Sequence, residues 1–206
     1  MAINSTPIRT HIGFDWMNKP YLLIVTGRPG AGKTTLAQKI GNELHFPVIS
    51  RDGIKEGYVR TLGIGHDDLP ADANGIATGI FVGAIMHLVE HNVSLVAEAA
   101  FQHEVWSYLL APFMDKVRLY VLICTVDVNV AAERYFERGL ADGQWEFFHG
   151  RKGVYTAKGD GKHDMPPYDE PRLDAPTIHV DTTADYNPPI EELERIVFDR
   201  EYEKDG

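Results

Sequence analysis

The chain runs to 206 residues, 44% of them hydrophobic and 24% charged, which is ordinary globular usage and excludes a wholly disordered protein. That length suits one domain, or one domain carrying an elaborated insertion. Acidic residues outnumber basic ones 30 to 20, a net charge of -10, which disfavours a protein that grips long nucleic acid, because such proteins neutralise phosphates with a basic face.

Residues 1–19 show no hydrophobic period and read as an arm, pinned by Phe14 and Trp16 to a single domain spanning 20–206. Tyr21–Thr26 is a short run of strand formers ending at Gly27, a buried strand by length and flanks. From Lys33 to His45 the apolar residues Leu36, Ala37, Ile40 and Leu44 recur at helical spacing. A second strand follows at 46–50 and a long helix at about 71–91. A third strand is expected at 93–97, a helix at 104–114, a fourth strand at 117–126 and a helix at 127–138. After the segment 139–176, a fifth strand occupies Thr177–Asp181. A last helix opens near Pro189, with Glu191 and Glu192 against its positive end.

Strands and helices alternate, and the strands are apolar throughout rather than every second residue, so the sheet is parallel with helices on both faces. The connection 139–176 far exceeds the ~2–6 residues usual in such folds. Its Gly, Pro, Asp, Lys and aromatic content reads as a lid. No window approaches the ~18 uninterrupted apolar residues of a membrane span, and the first residues lack the pattern of a secretory signal. The single cysteine, Cys124, lies in an apolar run and has no partner for an internal disulfide. These features lead to the expectation of a cytoplasmic protein with no membrane partner.

Gly27, Arg28, Pro29, Gly30, Ala31, Gly32, Lys33 and Thr34 match G-x-x-x-x-G-K-[ST] between a strand and a helix. Glycines let successive backbone N–H groups turn inward and form an anion-sized nest at a helix N-terminus. Lys33 supplies a charge for the outer phosphates, the Thr34 hydroxyl can bind magnesium, and Thr35 adds a hydroxyl for the inner phosphate. A dinucleotide loop needs G-x-G-x-x-G, which the spacing here does not supply. This is a nucleoside triphosphate site.

A short domain with a lid, and without the N-K-x-D reader of switch GTPases, fits phosphoryl transfer to a small acceptor. Asp52 falls just past strand two, beside the crevice where open α/β sheets bind ligands. It is either a general base for the acceptor hydroxyl or a helix N-cap. Arg51 beside it is either a holder of an anionic acceptor or a surface residue.

The chain resembles the P-loop small-molecule kinases related to chloramphenicol phosphotransferase, zeta toxins and the 5′-kinase domain of polynucleotide kinases. The residues that carry the resemblance are Gly27 to Thr35, Ile-Ser-Arg-Asp ending at Asp52, and Val96-Ala-Glu98. Arg134 and Arg138 of Glu-Arg-Tyr-Phe-Glu-Arg-Gly139, and Val180-Asp-Thr-Thr183, complete the set. The resemblance implies a P-loop NTPase three-layer sandwich with a five-stranded sheet of order 2-3-1-4-5. It also implies ATP with magnesium, Asp52 as general base, and lid arginines that clamp the transferring phosphate.

On that footing Thr34 and Glu98 are the candidate metal residues and Lys33, Asp52, Arg138 and Arg134 the catalytic ones. Glu98 is alternatively a buried acid held by a base or an amide. The usual apolar run ending in Asp is missing, since strand four meets no acid before Asp127. Arg134 and Arg138 are alternatively a surface stripe with Glu133 and Glu137; Arg151 and Lys152 are further lid candidates. Trp145, Phe147 and Phe148 either line an acceptor pocket or anchor the lid. His149 and His163 share this region without a zinc-like ligand set. The expected acceptor is a hydroxyl of a small molecule, in a monomer or homodimer. A nucleotide-hydrolysing module and a nucleic-acid end kinase are the competing readings.

Overall fold

Side chains along β1 (Tyr21–Thr26) alternate between two apolar layers. In the computed structural model, which describes residues 19–150, 165 and 167–198, Leu22 and Ile24 enter one core, and Leu23 and Val25 the other. The first core is closed by α3 (Ala73–Glu90) and α4 (His103–Leu110) through Phe81, Ile85, Trp106 and Leu110. The second is closed by α1 (Lys33–Leu44) and α7 (Ile190–Phe198) through Leu36, Ile40, Leu193 and Val197. Burial on both faces is why the strands carry no polar alternation. Each fully buried aliphatic side chain favours the fold by about 1.5–3 kcal/mol.

With β2 (Val48–Ser50), β3 (Leu95–Glu98), β4 (Arg118–Thr125) and β5 (Thr177–Asp181), the sheet has the order β2-β3-β1-β4-β5 and is parallel throughout. This is the expected three-layer sandwich. The C-terminal ends of β1, β2 and β3 therefore lie side by side, and the loops leaving them share one edge.

Several local expectations need correction. A helix, α2 (Arg51–Leu62), follows β2 directly, and Ser50 rather than Asp52 caps it by accepting from the Gly53 N–H. Gly53 and Gly57 lower its helix propensity, and Val59 is its single buried residue, so it has no apolar stripe to announce it. α3 is 18 residues long and apolar enough to cross a membrane by length and composition. Here its Ala77, Phe81, Ile85 and Val89 are buried within the sandwich instead.

The lid is partly helical. α5 (Val128–Ala141) extends into it and α6 (Trp145–His149) follows. Asp127 caps α5, accepting from the Asn129 and Val130 N–H groups at 2.8 and 3.4 Å. These backbone donors hold its carboxyl below the usual range, and they account for the acid at the end of β4 without a metal role. Phe14, Trp16, Arg151, Lys152 and His163 lie outside the described residues.

Candidate active site

The loop between β1 and α1 is set by backbone geometry. Gly30 and Gly32 take φ of 79° and 82°, the left-handed region that favours glycine. A Cβ at Gly30 would also run into the Ala131 carbonyl. Gly32 stands at the N-cap of α1 and no side chain caps that helix. The N–H groups of its first turn, Lys33, Thr34 and Thr35, therefore have no intrahelical acceptor and face outward at the positive helix end.

Buried hydroxyls brace the loop. Thr182 Oγ1 lies 2.9 Å from the Ala31 carbonyl and 3.1 Å from that of Thr125, tying the loop to the end of β4. Below it, Trp106 Nε1 donates to Thr26 Oγ1 at 3.0 Å, and Tyr168 OH stands 2.8 Å from the same oxygen. Tyr168 belongs to the segment returning from the lid, so that return is fastened to the start of the phosphate loop.

Between the loop, α2 and the lid lies a cavity of about 540 Å³. Pro29, Gly30, Gly32, Lys33, Thr34 and Thr35 line one side; Asp52, Glu98 and Arg138 face them. Gly27, Arg28 and Ala31 shape the loop without lining the cavity, and the Arg28 carbonyl accepts from Lys33 Nζ at 3.0 Å. Lys33 is 8% exposed, and burial lowers its pKa against the opposing pull of Glu98 and then Asp52.

Glu98 is 2% exposed and accepts a hydrogen bond from Ser50 Oγ at 2.7 Å. Burial raises its pKa, opposed by that hydroxyl and then by Lys33. An acid in this state favours a cation beside it. A raised folded-state pKa gives a contribution that is fullest below the unfolded value and lost as pH rises through the folded one. Glu98→Gln is therefore expected to melt above wild type in nucleotide-free protein at neutral and alkaline pH, with the gap closing on acidification. A differential scan showing the variant less stable under alkaline conditions would contradict this.

Asp52 sits in the first turn of α2, its side chain 57% exposed, with Arg51 Nη1 at 3.2 Å from Oδ1. Arg51 Nη2 donates to Asn74 Oδ1 at 2.9 Å. Arg51 is thus neither a free surface residue nor part of the cavity lining; it fixes Asp52.

Arg134 and Arg138 part company. The Arg138 guanidinium lines the main cavity, lying over the rings of Trp145 at 4.7 Å and Tyr135 at 5.7 Å. Arg134 donates to the carbonyls of Thr182 and Thr183 at 3.0 and 2.7 Å. It lines a second cavity, of about 360 Å³, with Lys39, Asp185 and Tyr186. Gly32 and Thr35 border both cavities, so the two meet at the phosphate loop.

The aromatics divide as well. Trp145 lines the cavity, whereas Phe147 packs on Gly65 and Phe148 under Arg60, whose guanidinium stands 4.8 Å from the Phe148 ring. Arg60 Nη2 also donates to Gln144 Oε1 at 2.8 Å. Glu56, Tyr135 and Asp142 line the cavity too and escaped the sequence reading, and His149, read there only as a lid histidine without zinc-like partners, lines it as well. The one signal for Glu56 was its place four residues after Asp52, visible only once α2 is known. Cys124 is buried, its thiol pushed up to about 12 by that burial, so it is inert core.

Among the described residues no three His, Cys, Asp or Glu side chains converge as a metal cage. Magnesium does not need one, because it keeps waters and phosphate oxygens in its shell. The oxygen donors Thr34 and Glu98, both on the cavity wall, fit that ion.

No protein-family model matches this sequence, and neither does any curated protein. Solved structures do. A candidate kinase from Chloroflexus aurantiacus j-10-fl is 22% identical, covers 86% of this chain and 98% of its own, and superposes with a TM-score of 0.69. The Mycobacterium tuberculosis APS kinase CysC, in complex with AMPPNP and APS, is 17% identical over 88% and 96%, with a TM-score of 0.55. A chain of the Pnkp1/Rnl/Hen1 RNA repair complex is 16% identical over 76% of this chain and 50% of that one, with a TM-score of 0.52. The fold is that of the P-loop kinases.

Proposed function

We propose that this protein is an ATP-dependent kinase that moves the γ-phosphate to a hydroxyl of a small molecule. The observation that carries the reading is the opening of Lys33, Asp52, Glu98 and Arg138 into one cavity at the phosphate loop. Loop amides and Lys33 hold the phosphates, and the second cavity, with Arg134 and Tyr186, receives the nucleoside. This reading moves Arg134 from clamp to nucleotide binding and leaves Arg138 to meet charge developing on the γ-phosphate.

The acceptor oxygen bonds to the γ-phosphorus while the bond from that phosphorus to the ADP oxygen breaks, and the acceptor proton passes to an Asp52 oxygen. Thr34 and Glu98 would hold magnesium, which supplies charge neutralisation to the phosphates when bound. The half-exposed Asp52 reaches a ligand in the cavity, and the lid excludes the water that would otherwise compete.

The test incubates the protein with ATP, magnesium and a pool of hydroxylated metabolites, read by mass spectrometry. A new phosphorylated compound supports the reading. ADP and free phosphate alone point to a hydrolysing module, and efficient labelling of 5′-hydroxyl oligonucleotides to an end kinase.

A further inference from the structure

Ser50 is the last residue of β2 and Glu98 the last of β3, and the two are partners in register across the parallel strands. Glu98 is in turn the register partner of Val25, two residues before Gly27. The sheet itself therefore sets the hydroxyl, the carboxylate and the root of the phosphate loop side by side. Ser50 also lines the main cavity, together with Thr34, Asp52 and Glu98.

Ser50 Oγ donates to Glu98 Oε2 at 2.7 Å and accepts from the Gly53 N–H at 3.3 Å. A hydroxyl has one proton and two lone pairs. The proton is committed to Glu98, and a lone pair caps α2. No residue separates β2 from α2: Arg51 opens the helix and Asp52 follows in its first turn. One oxygen thus joins the end of β2, the start of the helix that carries Asp52, and the carboxylate of β3. Among the described residues no other hydrogen bond reaches the Glu98 carboxylate, so this buried group takes its orientation from Ser50. Capping alone needs only an acceptor, which aspartate or asparagine would supply as well. The donated proton is the part that a capping role leaves unexplained.

Resting on the kinase reading and on Glu98 as a magnesium residue, we infer that Ser50 is a positioning residue for phosphoryl transfer. Its hydroxyl orients Glu98 for the metal and ties that carboxylate to the helix carrying Asp52.

Calorimetry tests this by measuring AMPPNP affinity in EDTA and in excess magnesium, the ratio of the two being the metal-linked gain. Ser50→Ala is expected to lower that gain by about tenfold or to remove it, the usual cost of losing a group that orients a metal residue, while affinity in EDTA stays near wild type. Ser50→Thr keeps donor and acceptor and suits the extended backbone at φ −104° and ψ 128°, so it should restore the gain. In a Glu98→Gln background Ser50→Ala should cost nothing further, because a residue that acts through another adds nothing once that partner is gone. Ser50→Gly, tolerated at helix starts, makes the same comparison where Ser50→Ala melts too low to assay. An unchanged gain with only a lower melting temperature reduces Ser50 to a helix cap and overturns the inference, as does an equal loss with and without Glu98. Either result leaves the kinase reading standing. AMPPNP bound without any gain from magnesium in wild type overturns the Glu98 assignment along with this inference, and no AMPPNP binding at all overturns the kinase reading too.

Discussion

Lys33→Met is expected to lower phosphoryl transfer by about 10²–10³-fold or more, the scale of losing one preorganised charge or donor at a reacting centre. Lys33 stands within the described cavity lining as the cation built into the phosphate loop, held by the Arg28 carbonyl at 3.0 Å. Unfolding would be the trivial cause of such a loss, and electrostatics argue against it. Burial lowers the Lys33 pKa despite Glu98 and Asp52, so the charged amine is a cost to the free protein. Stability linked to it is present at high pH and lost as pH falls through the folded value. The variant should therefore melt no lower than wild type at neutral pH while binding nucleotide more weakly by calorimetry. Turnover within a few-fold of wild type would remove Lys33 from the mechanism.

Asp52→Asn is expected to lower kcat by about 10²–10⁴-fold, the usual contribution of a positioned general base, while nucleotide affinity stays near wild type. Asparagine keeps the size and the place in the first turn of α2 but cannot take the acceptor proton. Ser50 caps α2, so removing the Asp52 charge does not remove the helix cap, and the loss should reside in chemistry rather than folding. Rapid-quench measurement of a single turnover separates transfer from product release; an undiminished transfer step would exclude Asp52 as the base.

The phosphate loop was legible because its chemistry is local: consecutive residues must present consecutive amides, so spacing alone reveals them. The sheet was legible because both of its faces are buried. α2 was not, since Gly53 and Gly57 interrupt its pattern and Val59 alone is buried. Glu56 lies some ninety residues before Trp145 and His149, and it meets them only because α6 docks on α2. The separation of Arg134 from Arg138 was equally hidden. Four residues advance a helix by about 6 Å, which on α5 is enough to pass from one cavity to the next.

The guanidinium of Arg138 rests 4.7 Å above Trp145, and the His149 ring lies tilted against the same indole at 4.0 Å between centroids. Cations against an indole face alter its fluorescence, and Trp106, the other tryptophan among the described residues, is fixed to Thr26 beneath the sheet edge. Phosphates that draw Arg138 away should change the emission of Trp145, so occupancy becomes visible as an optical signal without any added dye. Trp145→Phe should silence that signal, making the molecule its own calibrated reporter for a search among unlabelled compounds.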